Sequence, residues 1–152
     1  MAQIPDPNDI FRQIDLENPA ECSAEFNRLL KKRKPFKATF TTAYNILVNH
    51  IAAARGENGQ FDRSVDTMNA LRRAKETLEL RYSRLEKCLS RMMELTDVED
   101  TSNTLEKELD KYSGKHVQAI QMMGNLMISM SSQQPAQAAQ GVGPVQSLRL
   151  SN

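Results

Sequence analysis

A chain of 152 residues has the length of one domain and can bury a real core. Hydrophobic residues make up 39% and aromatics only 5%, with no Trp, which suits a narrow helical seam better than the two-layer core of an α/β enzyme. Twenty Lys and Arg against nineteen Asp and Glu leave a formal charge of +1, so global electrostatics select neither a nucleic acid nor a basic partner.

Residues 1–17 carry Pro5 and Pro7 with little periodicity and read as an irregular, disordered arm, in which Ile10, Phe11, Ile14 and Leu16 have the makings of a short turn that docks on the rest. A first helix is predicted over 18–34, with Asn18 as N-cap, Pro19 at the first helical position and Cys22, Phe26, Leu29 and Leu30 on one face. Pro35 disfavours the helical region for Lys34 and should stop it there. The run Lys31-Lys32-Arg33-Lys34 then complements the negative end of the helix dipole, or, in a sharper reading, serves as a nuclear-import signal or nucleic-acid contact. A second helix is predicted over 36–55, burying Phe36, Phe40, Ala43, Tyr44, Leu47 and Ile51, with Gly56 as a left-handed cap before the turn Gly56-Glu57-Asn58-Gly59.

A third helix is predicted over 62–95, packed along Leu71, Leu78, Tyr82, Leu85, Leu89 and Met92. Seven basic residues between Arg72 and Arg91 sit among three acidic ones, and a solvated face with the two signs mixed is the expectation. Thr96-Asp97-Val98-Glu99 reads as a capping box that opens a fourth helix over 97–130. Its seam is Leu105, Leu109, Tyr112, His116, Ala119, Met123, Leu126 and Met130, at alternating spacings of four and three. The join between these two helices is short, so they should fold back as an antiparallel hairpin. Gly114 and Gly124 suggest a bend or a close backbone approach. Beyond Ser131 the Gln-, Ala- and Pro-rich tail has a single charged residue, Arg149, and should be disordered. The expected fold is therefore all-α: an elongated helical bundle over 18–130, with an arm at 1–17 and a low-complexity tail at 131–152.

The chemistry of known enzyme motifs is missing from this pattern. No phosphate-cradling, dinucleotide-binding, zincin or hydrolase-elbow motif occurs, and two distant histidines with two unpaired cysteines, Cys22 and Cys88, do not make an ordinary zinc site. No catalytic residue, metal, cofactor or small-molecule ligand is expected, and the two thiols read as buried and reduced. Residues 1–14 lack the pattern of a signal peptide, and the apolar stretch Ile120–Met130 is too short for a bilayer, so an intracellular, cytoplasmic protein is expected.

Three stretches together resemble the helical N-terminal region of BEL/Pao-type LTR retrotransposon polyproteins. They are Arg33-Lys34-Pro35-Phe36-Lys37-Ala38-Thr39-Phe40-Thr41 followed by Ile46-Leu47, then Leu78-Glu79-Leu80-Arg81-Tyr82-Ser83-Arg84-Leu85, and Leu105 through Tyr112 to Ile120. The chain has neither the cysteine-histidine knuckle nor the protease triplet that accompany that region. The resemblance implies a Gag-like structural role in which helices self-associate.

From the residues themselves, a non-enzymatic scaffold or assembly protein acting through helix–helix contacts is expected. Its interaction surface falls on Met122, Met123, Leu126, Met127, Ile128 and Met130, because apolar residues there cover more than one side of the helix and adaptable Met surfaces suit a protein partner or a second copy. The alternative is a nucleic-acid-binding module that uses Lys31, Lys32, Arg33, Lys34 and Lys37, with Arg72, Arg73, Arg81 and Arg84 as a second stripe.

Overall fold

The computed structural model describes residues 11–132 apart from Asn58. Three long α-helices make up almost all of it: α1 (Pro19–Arg55), α2 (Val65–Leu95) and α3 (Glu99–Ser132), with no strand among the described residues. At 1.5 Å per residue the helices are about 45–55 Å long, so the all-α bundle is elongated. The expectations placed on residues 1–10 and on 133–152 lie outside the described residues.

The first two predicted helices are one. α1 runs through Pro35, which removes the N–H that would reach the Lys31 carbonyl. Both Lys31 and Pro35 are exposed, so water can take the orphaned carbonyl. The reason for continuing is tertiary. Glu25 and Leu29 before the proline lie on the same buried stripe as Phe40, Ala43, Leu47, Ile51 and Ala54 after it. A break at Lys34 would pull Leu29 out of the core. Asn18 caps the helix as its sequence predicts, its side-chain oxygen accepting from the N–H groups of Ala20 and Glu21 at 3.0 and 3.3 Å.

α1 and α2 are joined by a tight connection. Gly56 has φ +64°, and a Cβ there would collide with the Gln60 carbonyl, so only glycine serves. The Asp62 N–H donates to the Ala54 carbonyl at 2.8 Å, and the Asp62 carboxylate accepts from the Ser64 N–H and the Thr67 hydroxyl. Ser64 is the N-cap of α2, accepting from the Thr67 N–H. The predicted capping box at Thr96 does not form. Thr96 instead closes α2, its N–H donating to the Met92 carbonyl, and its hydroxyl oxygen accepts from the Val98 N–H at 3.1 Å. α3 therefore starts at Glu99, two residues later than its sequence suggests.

α2 runs antiparallel to both its neighbours. The Cys88 thiol near its end donates to the Leu29 carbonyl near the start of α1 (3.6 Å), and Arg63 before its start donates to the Met130 carbonyl at the end of α3 (2.7 Å). Phe40 stands at the centre, fully buried, with ring centroids 6.4, 6.1 and 5.4 Å from Tyr44, Tyr82 and Tyr112. It thereby ties all three helices together. The predicted seams are otherwise largely as expected: Leu71, Leu78, Leu85, Leu89 and Met92 of α2 and Leu105, Tyr112, Ala119, Leu126 and Met130 of α3 are buried. Leu30, placed by sequence on the buried face, is exposed. Gly114 and Gly124 approach nothing: a Cβ at either would meet open space.

Part of the arm packs on the bundle. Its turn at Leu16-Glu17 is held by the Asn18 N–H donating to the Asp15 carbonyl, and the Arg12 N–H donates to the Glu25 carboxylate at 3.2 Å. The Phe11 ring sits 5.7 Å from the Arg91 guanidinium of α2.

Candidate interaction surface

Charges on this bundle fall into three groups, each fixed by the helix face it occupies. The first group is internal. Glu25 is only 3% exposed, and its two oxygens accept from the Arg28 guanidinium at 2.6 Å each, which together with the Arg12 N–H holds the carboxyl below its usual range despite burial. Glu108 of α3 reaches across to α1, 3.0 Å from Lys37 and 3.4 Å from Arg33. These two cations straddle Pro35, so the helix is clamped to α3 where its hydrogen-bond ladder is broken. Arg33 of the basic run and Lys37, both predicted nucleic-acid contacts, are thus engaged in an ion pair between helices. Lys31, Lys32 and Lys34 remain exposed.

The second group lies along α2. Mixed signs persist on much of the helix, Lys75 sharing a stripe with Glu79 and Glu86, but within this stretch the side toward α1 carries only cations. Glu79 and Glu86 stand on the side toward α3, where they act on His116, and the Tyr82 hydroxyl donates to Glu86 at 3.4 Å. Arg73, Arg81 and Arg84 stand on the side toward α1. Arg81 lines a hollow of about 280 Å³ with Ala38, Thr39, Thr42, Ile46 and Thr77. Arg73 lines an adjoining hollow of about 330 Å³ with Ile46, His50, Ala70 and Thr77. Arg84 lies 5.9 Å from the Phe36 ring, and its buried Nε has no hydrogen-bond partner. No ion pair joins Arg73, Arg81 or Arg84 to an acidic residue among the described residues. Arg72, grouped with Arg73 in the sequence, is turned about a quarter of the helix away from it and lines neither hollow.

The result is a trough between α1 and α2, on the side away from α3. Its walls are Ala and Thr because side chains there stop short of the interhelical contact. Ile46 is 45% exposed at one rim and Leu80 38% exposed on the other helix. The arm bounds one end, with Phe11 on Arg91.

The third group is on α3, opposite its buried seam. Glu99, Glu106, Asp110, Val117 and Ile128 follow one exposed stripe at helical spacing. Val117 is 49% and Ile128 65% exposed. Gly114 and Gly124 lie on the same side, and neither serves any packing contact within the chain. Of the predicted interaction residues, Leu126 and Met130 are buried in the core, and Met122, Met123 and Met127 are partly buried against it. They belong to the bundle because α3 presents them to α1 and α2. Ile128 alone of the six stands free.

Two further groups have shifted protonation. His116 stacks face to face on Tyr82, centroids 4.4 Å apart and planes 4° apart, and its buried Nε2 lacks a hydrogen-bond partner. Burial lowers its pKa against the opposing pull of Glu79 and Glu86. Burial also pushes the Cys88 thiol up to about 11, which leaves it a small apolar filler rather than a nucleophile. Cys22, partly exposed, has its sulfur 3.3 Å from the Leu16 carbonyl. Among the described residues no cluster of His, Cys, Asp or Glu could hold a metal, and no helix is long and apolar enough to cross a membrane.

Compared with protein-family models, with curated proteins and with solved structures, the chain finds no match.

Proposed function

We infer that the chain is a non-enzymatic scaffold that works through helix–helix contacts, and that its α1–α2 trough receives a helix. One observation carries this reading: two open hollows, walled mainly by Ala and Thr, share Ala43, exposed Ile46 and Thr77 and so form a continuous bed along both helices. A bed of this kind suits an amphipathic helix laid lengthwise, apolar anchors inward. A Gag-like assembly role, of the type implied by the retrotransposon resemblance, is one form such a scaffold takes.

The test is selection of binders from a displayed library of amphipathic helical peptides, followed by NMR mapping on the full chain. Bound peptides should shift the amides of Thr42, Ile46 and Thr77. Replacing exposed Thr42 and Thr77 by Trp, which fills the trough without touching the core, should abolish binding. Peptides that bind this variant as well as the native chain would remove the reading.

The alignment of Arg73, Arg81 and Arg84 favours a second reading, a phosphate backbone lying in the same trough. Such binding must weaken steeply with salt and show little base preference, since no aromatic platform lines the two hollows. A filter-binding titration across salt, with Lys31, Lys32 and Lys34 replaced by Ala as a comparison, tests it.

A further inference from the structure

We propose that the helix received by the trough is α3 of a second copy of this chain, seated through its exposed acidic stripe. The inference rests on the helix-docking reading above and gives it an occupant.

Three observations join the two faces. First, they are complementary in charge and extent. Arg73 to Arg84 on the trough and Glu99 to Asp110 on α3 each cover three helical turns, about 16 Å, so the two charged spans coincide in either orientation of the incoming helix. Arg73, Arg81, Glu106 and Asp110 have no ion-pair partner among the described residues, so all four are available to an intermolecular contact. Second, Gly114 and Gly124 sit in the interior of α3, where each costs about 1 kcal/mol relative to Ala. Open space surrounds both within the chain, so no internal contact requires them. A second backbone passing close to Gly114, about 6 Å beyond Asp110, would account for that residue, whereas Gly124 falls past either end of α2 in this register. Third, Val117 and Ile128 on the stripe, like Ile46 and Leu80 beside the trough, are large apolar side chains left in water by the monomer.

The geometry also sets the type of assembly. The trough lies on the side of the bundle away from α3, and the acidic stripe lies on the outer side of α3. One face cannot meet its own copy about a two-fold axis through this contact. The contact is heterologous, head to tail, and repeats into a ring or an open chain. A symmetric α3–α3 dimer would instead bring Glu106 and Asp110 of two copies to one interface without any cation from the trough.

Head-to-tail contacts permit a decisive mixing experiment on the full chain. Variant R73Q/R81Q loses the trough's charge and keeps the stripe; variant E106Q/D110Q does the reverse. The native chain should rise above 17.2 kDa with concentration in sedimentation velocity, and less so at high salt. Each variant alone should remain a monomer. Their mixture should stop at a dimer, because one intact trough meets one intact stripe and both outer faces are spent. Circular dichroism checks that both variants fold; the reversed pair R73E/R81E with E106K/D110K, whose acidic trough and basic stripe are again complementary, should instead grow past a dimer on mixing. A native chain that stays monomeric, a variant that assembles alone, or a folded mixture that stays monomeric overturns the proposal. So does native assembly that disappears on nuclease treatment, which would give the arginines to nucleic acid. A monomeric native chain whose trough still selects foreign helical peptides would leave the docking reading standing with another occupant.

Discussion

Phe40 is the residue on which the bundle should depend most, and the cost of removing it can be worked out from its surroundings. It is fully buried and touches aromatic rings from its own helix, from α2 and from α3. Truncating a buried Phe to Ala costs about 3–5 kcal/mol in lost transfer energy and residual cavity. The larger value is expected here, because three tyrosine rings cannot all relax into one hole. Phe40→Leu retains most of the apolar area but loses three ring contacts, each worth about 0.5–1.5 kcal/mol, so a cost of at least about 1.5 kcal/mol is expected, below that of Phe40→Ala. A domain of this size is stable by about 5–15 kcal/mol, so Phe40→Ala removes a third or more of the total. Urea unfolding followed by circular dichroism reads both values, with Leu30→Ala, an exposed position on the same helix, as the control within about 0.5 kcal/mol. A Phe40→Ala cost below about 1 kcal/mol, or one equal to that of Leu30→Ala, would refute the central placement of the ring.

Pro35→Ala restores an N–H to the α1 ladder at an exposed position, and should stabilise the bundle by about 1–3 kcal/mol in the same assay; destabilisation would mean that the helix is not continuous there. His116 has a folded-state pKa below 6.5, so as pH falls through 6.5 the unfolded chain takes up the proton first and stability declines until the folded-state pKa is passed. Phe at this position keeps the stack on Tyr82 and should flatten the slope between about pH 7.5 and 5.5, leaving the separate loss below 4.5 that comes from the depressed Glu25; an unchanged slope in His116→Phe would assign the effect elsewhere. Iodoacetamide on the native chain should label Cys22 and spare Cys88 until urea is added, as read by mass spectrometry; equal rates would contradict a buried thiol held at about 11.

The core was legible in the sequence because burial in a helix has a period, and the seams through Leu71 to Met92 and Leu105 to Met130 follow it. Asn18 and Gly56 were legible for the same local reason, each being a residue type that its backbone position requires. Pro35 misleads, since its local preference is outweighed by a core stripe that continues on both sides of it, and tertiary packing has no local signature. The Met-rich end of α3 misleads differently. Its apolar residues point in several directions, which suggests a second partner, but Met122, Met123 and Met127 rest against the same bundle that buries Leu126 and Met130. The faces proposed for interaction were hardest to see. A wheel drawn on α2 separates Arg73, Arg81 and Arg84 from Glu79 and Glu86, but the separation gains meaning only once α1 is known to lie on one side and α3 on the other.

Net charge hides the same arrangement. Within a total of +1 the surface holds a basic trough between α1 and α2 and an acidic stripe on α3. Nearly cancelled charge lowers the repulsion between copies, and segregated charge gives the remaining attraction a direction. The internal pairs sharpen this by withdrawing some groups from the balance. Glu25 and Arg28 neutralise each other in the core, and Glu108 takes Arg33 and Lys37 for the clamp between α1 and α3. The bundle's stability therefore rests on apolar seams and its internal ion pairs, while the proposed association would rest on charges that stability does not use. The two can be changed separately: substitutions at Arg73, Arg81, Glu106 and Asp110 should alter assembly with little change in melting, and Phe40→Ala should lower melting first.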